Sequence, residues 1–412
     1  MLRFLSMFSD RTNWKLTRNR LTETLEEVHS SGAEVLDLTL SNPTRAGLHY
    51  DAARILKALA SPQGMDYDPQ PKGLSAARAT VAAYYQTLHG IPDFDPERLI
   101  LTTSTSEGYS FVFRLLCNSG DELLVPKPSY PLFEFLADLQ DVKLLPYPLI
   151  YDHGWQIDFP SLRKAVTMRT RGVVVVHPNN PTGSYLHENE KELLNGFCRE
   201  HELAVIADEV FLDYAHHGVP PATFAANQDV LTFTLSGVSK ISALPQMKVA
   251  WIATSGPAAE VKAAEARLEV ISDTYLSMNA PMQWALPTFL EQRKNIQQQL
   301  LNRVLSNLAE LDRQLSAQKT CQRLIVEAGW YAVLRVPVTR TDEELAVELL
   351  RRKSVLVHPG HFYDFPSDGY LVLSLITPEK EFGQGISKLL ELMIVDSNNF
   401  VFNQQSTIIN QQ

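Results

Sequence analysis

Four consecutive valines, at 173–176, leave no position on that segment free to face water. A strand that is apolar on both faces must be covered on both, the condition of a mostly parallel sheet sandwiched between helices. Neighbouring segments repeat it. Short apolar stretches at 98–103, 122–125, 203–207, 230–235 and 249–253 alternate with helical stretches at 106–117 and 187–200. Ahead of them, Leu74, Ala77, Val81, Tyr84, Tyr85 and Leu88 form one stripe of a helix at 74–89, ended by Gly90. A polar-faced helix at 12–33 and a strand at 35–40 precede the loop SNPTRAG at 41–47.

The texture changes near residue 290. A helix rich in Gln and Leu at 290–317 leads to strands at 322–326, 330–336, 354–357 and 370–375, with helices at 341–353 and 378–394. The pattern predicts an α/β chain: a large domain at 46–290 with a mostly parallel sheet flanked by helices, and a smaller α+β domain from 1–45 and 291–395. The segment 396–412, rich in Asn and Gln without a helical stripe, reads as a disordered tail.

A net charge of −10 gives no basic footprint for nucleic acid. No apolar run approaches the roughly 20 residues that cross a bilayer. Asp10 and Arg11 interrupt the opening MLRFLSMFSD too early for a secretory signal. Three scattered cysteines, Cys117, Cys198 and Cys321, read as reduced packing residues, so the chain is expected in the cytoplasm. The adjacent pair His216-His217 reads as a solvated loop rather than a metal ligand set.

In a parallel sheet, ligands bind beyond the carboxyl ends of the strands. TSTSEGYS (103–110) opens a helix, whose free N–H groups suit an anion; alone it is a helix cap. PKPSYPLF (126–133) presents Tyr130, whose ring could lie over a planar ligand. HPNNPTG (177–183) offers Asn180 as a fixed donor, and Asp208 ends a buried strand where a carboxylate needs a cation. SGVSKISALPQMK (236–248) carries Lys240 and Lys248. A phosphate seat, an aromatic lid, a donor to a phenolic oxygen, a carboxylate for a ring nitrogen and an amine for an aldehyde together fit pyridoxal 5′-phosphate.

With HPNNPTG, ADEVF (207–211) and SGVSK (236–240), the chain resembles the class I/II aminotransferases, fold type I of the pyridoxal-phosphate enzymes, over about residues 30–395. The resemblance implies an aminotransferase acting on amino and oxo acids. Lys240 resembles the family's Schiff-base lysine and Asp208 the carboxylate that keeps the pyridine nitrogen protonated. Asn180 resembles the donor to the 3′-oxygen and Tyr130 the stacking aromatic. Thr105, Ser106 and Glu107 stand where the phosphate is received. Tyr67, in YDPQPKGLSAAR (67–78), resembles the tyrosine that reaches the phosphate of a neighbouring subunit, which implies a homodimer.

Four positions depart from the family pattern. Phe211 stands where a tyrosine is usual, so Asn180 must donate alone, and a raised pKa of the cofactor–lysine imine is expected. Gly237 stands where a serine contacts phosphate, leaving Ser236 or Ser239 to substitute. Lys248 replaces an arginine and gives up its bidentate fork. Val372, in GYLVLSLITP (369–378), replaces the arginine that clamps the substrate's α-carboxylate. Either another cation serves, with Arg45 beside Asn42 in SNPTRAG as the candidate, or the substrate is not an ordinary α-amino acid. Alternatives on the same scaffold are a carbon–sulfur β-lyase and a degenerate cofactor-binding protein without transaminase activity. Tyr275 and Trp330 are expected in the pocket, without assigned roles.

Overall fold

The computed structural model describes residues 7–217 and 221–409. The first part of the opening segment and the end of the 396–412 tail, residues 1–6 and 410–412, lie outside the described residues.

Strand β1 (Leu36–Asp37) is followed by eight that form one sheet. They are β2 (Leu99–Thr102), β3 (Glu122–Lys127), β4 (Lys143–Tyr151), β5 (Trp155–Ile157), β6 (Thr170–Val176), β7 (Ala204–Asp208), β8 (Thr232–Gly237) and β9 (Ala250–Ser255). Their spatial order is β2-β9-β8-β7-β6-β3-β4-β5. The five from β8 to β4 run parallel; β9 is antiparallel to both its neighbours, and β5 is antiparallel at the edge. The valines of β6 are buried on both faces, as their lack of alternation requires. One face packs on the helices Thr105–Leu116 and Ala258–Tyr275, the other on Glu188–Glu200.

The second domain adds β10 (Gln322–Arg323), β11 (Tyr331–Arg335), β12 (Val355–Leu356), β13 (His358–Pro359) and β14 (Tyr370–Ser374). An antiparallel sheet has the order β10-β11-β14-β13, and β12 pairs in parallel with β1. Its core is not closed off from the large sheet. Phe211, Tyr214 and Ala243 belong to the same apolar cluster as Leu300, Leu334 and Val372.

The structure departs from sequence expectation at identifiable places. Pro146 and Pro148 hide β4, because proline removes a ladder donor, yet this strand lies next to the sheet edge. The first helix spans only Arg20–Ser30, since the Asn19 side chain accepts from the Thr22 N–H and starts the helix there. The helix Ala258–Tyr275 buries only Val261, Ala264, Leu268 and Ser272, too thin a stripe to announce itself. The long helix Ala280–Leu315 begins ten residues before its expected start, capped by Asn279, and runs unbroken through the expected domain boundary at 290/291. The last helix spans Glu379–Ile409. Its backbone is helical through 396–409, and no Gly or Pro follows Gly385.

The loop 177–183 is tied to the second domain. Gly183 accepts N–H bonds from Glu327 and Ala328, at 3.2 and 2.9 Å. Its φ is +68°, and an added Cβ would stand 2.5 Å from the Ala328 carbonyl oxygen and clash with the Val326 side chain. Gly183→Ala is therefore expected to cost about 2–3 kcal/mol, read as a lowered denaturant midpoint at unchanged slope.

Candidate active site

Strands β6, β7 and β8 end side by side, with Val176 opposite Asp208 and Asp208 opposite Leu235. The loops that follow must therefore converge. The Asp208 carboxylate is buried at the end of β7. It accepts the Val210 N–H at 3.1 Å and the Tyr109 hydroxyl at 3.0 Å. Burial pushes its pKa up to about 6; the two hydrogen bonds and the Lys240 charge pull against that rise.

Lys240 lies in the short helix Val238–Ile241, half-buried, with its amine in no hydrogen bond among the described residues. Nζ lies 5.6 Å from the ring centre of Phe211 and 5.0 Å from that of Trp330. Burial pushes the amine down to about 8, opposed by Asp208. Its main chain is fixed. The Tyr214 hydroxyl donates to the Lys240 carbonyl at 2.7 Å, and Gln297 Nε2 to the Ile241 carbonyl at 2.8 Å. A held backbone and a free, partly neutral amine suit a nucleophile.

The register also joins three other chain segments. Thr102 of β2 and Gly237 of β8 both pair with Ala250 of β9, so residues 104–106, 239–240 and 248–249 meet at one edge. The helix Thr105–Leu116 opens there, with the Thr105 and Ser106 N–H groups unspent. Lys248 is exposed, and among the described residues it has no ion pair and the Ser239 hydroxyl no hydrogen bond. Together these groups have the chemistry of a seat that could hold an anion.

Glu107 does not join that seat. Its N–H is spent on the Ser104 hydroxyl, and its carboxylate turns back to Thr103 and to Ser277. Ser236 is also unavailable, because it is buried and donates to the Glu209 carbonyl. Gly237 has a packing reason: a Cβ there would lie 2.8 Å from both the Ala250 Cβ and the Val249 carbonyl oxygen.

Asn180 is 8% exposed, and its amide oxygen is buried without a partner. An amide flip exchanges O and N, so this end can give a donor to a ligand oxygen. Tyr130 is 40% exposed, its phenol pushed up by burial and by Asp208. Tyr67 is 85% exposed and lines a separate cavity of about 390 Å³ with Met65, Met278 and Pro281, away from Lys240.

Asn42 caps the turn Pro43–Arg45, and its side-chain oxygen is occupied by Thr44. Arg45 is exposed and has no ion pair among the described residues. Its segment runs from Ser374, whose hydroxyl donates to the Leu40 carbonyl, to Ala243, whose carbonyl receives the Tyr50 hydroxyl. Val372 is 1% exposed, between Val333 and His358.

Of the two unassigned pocket residues, Trp330 stands at Lys240, whereas Tyr275 receives a bond from Arg114 at the far end of the helix Thr105–Leu116. His216 is not solvated. It is buried against the Gly329 carbonyl at 2.9 Å, next to Trp330. Tyr109 and Tyr214 went unread in the sequence. Tyr109 lies one turn beyond Thr105 on the same helix, a spacing that could have flagged it; nothing in the spacing marks Tyr214.

These groups fit pyridoxal phosphate: an anion seat, an unsatisfied buried amide, a carboxylate that needs a cation and a free amine. Comparison with known proteins agrees. The family model for Aminotransferase class I and II matches residues 33–380. The glutamate–pyruvate aminotransferase AlaA of Escherichia coli K12 is 31% identical over 284 residues, 66% of this chain and 67% of that protein. The alanine aminotransferase of Mycobacterium tuberculosis is 26% identical over 380 residues, 89% and 87% of the two chains. Among solved structures, the alanine aminotransferase from Pyrococcus furiosus has the same fold, with a TM-score of 0.84 at 21% identity over 90% of this chain and 95% of that one.

Asp208 has a folded pKa near 6, above its ordinary 3.8, so the folded state keeps this proton to higher pH. Its contribution is then full below 3.8 and lost as pH rises through about 6. Asp208→Asn is expected to raise stability at pH 7.5 by about 2–3 kcal/mol without added ligand, a gain that vanishes by about pH 3.5, measured by denaturant unfolding across pH.

Proposed function

The chain belongs to the class I and II aminotransferases, which use pyridoxal phosphate, and within that family we propose that Lys240 is the amine that carries the cofactor and moves the proton. When bound, the cofactor supplies an electron sink through which an amino group passes from a donor to an oxo acid. Asp208 would face its ring nitrogen, Asn180 its phenolic oxygen and Tyr130 its ring face. Thr105, Ser106, Ser239 and Lys248 would surround its phosphate. The observation that carries this reading is the buried acid and the unbonded amine on neighbouring strand ends.

Each residue then has a physical task. A cation placed against Asp208 offsets its burial and returns it to the ionised form. Tyr109 and the Val210 N–H hold that carboxylate in one orientation. An amine near 8 is partly neutral at pH 7.5, so Lys240 can accept a proton from the substrate's Cα and return it. Tyr214 and Gln297 hold its backbone and confine that movement to the side chain. The relatives named for glutamate–pyruvate and alanine amino transfer support a small amino acid and an oxo acid as substrates, and favour transfer over carbon–sulfur elimination.

We also propose a homodimer. Tyr67 and Met65, both highly exposed, stand beside a cavity that a second copy would cover, and Tyr67 would reach the partner's phosphate seat. A cytoplasmic location is supported by three unpaired cysteines whose thiols burial pushes up to about 12. Arg45, with Asn42 shaping its turn, would be a rim cation that draws anionic substrates in.

Borohydride reduction of the loaded protein followed by peptide mapping is expected to place the cofactor on Lys240 alone; a different lysine, or none, refutes the assignment. Arg45→Ala is expected to raise KM for an anionic amino donor by roughly 3- to 10-fold at low ionic strength, with the difference shrinking in high salt. An unchanged KM in initial-rate measurements removes Arg45 from the site.

A further inference from the structure

One face of the small sheet adjoins the aromatic side chains around Lys240. Directly opposed residues of an antiparallel pair share a face. Tyr331 pairs with Ser374, Val333 with Val372 and His358 with Val372, so these side chains stand together. The Tyr331 ring lies 6.2 Å from Phe211, whose ring is 5.6 Å from the Lys240 amine, so this face and the amine border the same aromatic side chain.

Its polar inventory is short. The Ser374 hydroxyl is spent on the Leu40 carbonyl. The Tyr363 hydroxyl meets His358 Nδ1 at 3.0 Å. That leaves Tyr331 Oη and His358 Nε2, neither of which has a hydrogen-bond partner among the described residues, although Tyr331 is only 7% exposed. The cation of this face, Arg335, lies beyond the two valines, exposed, with its guanidinium 5.8 and 5.9 Å from the rings of Tyr151 and Tyr370. Both atoms are reached by water and held by no protein group among the described residues, so this wall offers two uncommitted polar atoms to a ligand oxygen.

We infer that the substrate's carboxyl group is received by Tyr331 and His358, two neutral groups, and that the site therefore also takes amino amides and amino alcohols. The inference rests on Lys240 as the reacting amine. An arginine fork demands a negative charge and matches two carboxylate oxygens at once. A phenol and an imidazole ask only for an oxygen. Burial pushes the His358 imidazole down to about 4, with Asp37 pulling the other way, so the ring is neutral at working pH. Val372 adds no charge that would reject an uncharged group.

The test titrates the cofactor-loaded protein with L-alanine, L-alaninamide and L-alaninol, following loss of the visible absorbance to half-saturation. The amide and the alcohol are expected to bleach the band with half-saturations within about 100-fold of the acid's. Tyr331→Phe and His358→Leu are each expected to weaken all three compounds by roughly 3- to 30-fold, whereas His358→Gln, which keeps a donor near Nε2, stays within about threefold of the parent. Unfolding midpoints and the spectra of the loaded variants show that each is folded; should Tyr331→Phe fail to fold, the His358 pair decides. A gap above about 100-fold between acid and amide, or His358→Leu binding like the parent, overturns the inference. So does abolition of L-alanine binding by Arg45→Ala, which would put the carboxyl on a cation. Borohydride labelling of Lys240 needs no substrate, so its absence separates failure of the lysine assignment from failure of this wall.

Discussion

A carboxylate and an amine at the ends of neighbouring parallel strands, both withdrawn from water, set the terms for the rest of the molecule. Desolvation disfavours each charge, lifting Asp208 to about 6 and lowering Lys240 to about 8, while each opposes the other's shift. The fold makes this tolerable by supplying hydrogen bonds to the acid only. Tyr109 and the Val210 N–H serve Asp208; the amine receives none and faces the rings of Phe211 and Trp330. The site is thus built for a ligand that brings a cation to the acid and a carbonyl carbon to the amine.

Holding that arrangement takes a second layer of polar contacts. Asp213 accepts from the Tyr84 hydroxyl at 2.8 Å and from Gln297 at 2.7 Å, and Gln297 also donates to the Ile241 carbonyl. His89 Nε2 lies 2.9 Å from the same Tyr84 hydroxyl. Buried networks of this kind fix a geometry when every member is satisfied. Because Gln297 lies on the helix Ala280–Leu315, the support of Lys240 shares a rigid element with the core of the small domain. Movement of that domain would be felt at the lysine's backbone through one helix rather than through a flexible linker.

The parts legible in sequence are those governed by period and by strand ends. The strands β6, β7 and β8 announce themselves by lacking alternation, and the residues just past them, Asn180, Asp208 and Lys240, follow from where parallel strands stop. What stayed hidden is set by contacts between distant segments. Glu107 looks like a phosphate donor until its carboxylate is seen turned back to Ser277, 170 positions away. Ser236 and Ser239 are equivalent on paper; burial and the bond to the Glu209 carbonyl remove the first. Tyr214 is as ordinary as any core tyrosine until its hydroxyl is traced to Lys240. The helix that starts at Ala280 rather than 290 was hidden for a different reason: its cap is the Asn279 side chain, and the apolar stripe of its first turns is not set off from the sequence before it.

The departures at Phe211 and Val372 belong together. Each puts an apolar group where a hydrogen-bonding or charged one is usual in the family, and both lie in the apolar cluster that reaches the Lys240 pocket. An aromatic face does attract an ammonium, by about 0.5–2 kcal/mol. Burial acts the other way: it withdraws the water that would stabilise the charge and pushes the amine down to about 8 against the pull of Asp208. A phenol at 211 would add an oxygen within this pocket and return part of what desolvation removes. Its absence leaves Lys240 more readily neutral, which favours both its attack on a carbonyl and its acceptance of a proton. Phenylalanine at 211 therefore leaves a larger share of the amine unprotonated near neutral pH, and Val372, in the same apolar cluster, adds no charge that would reverse the effect.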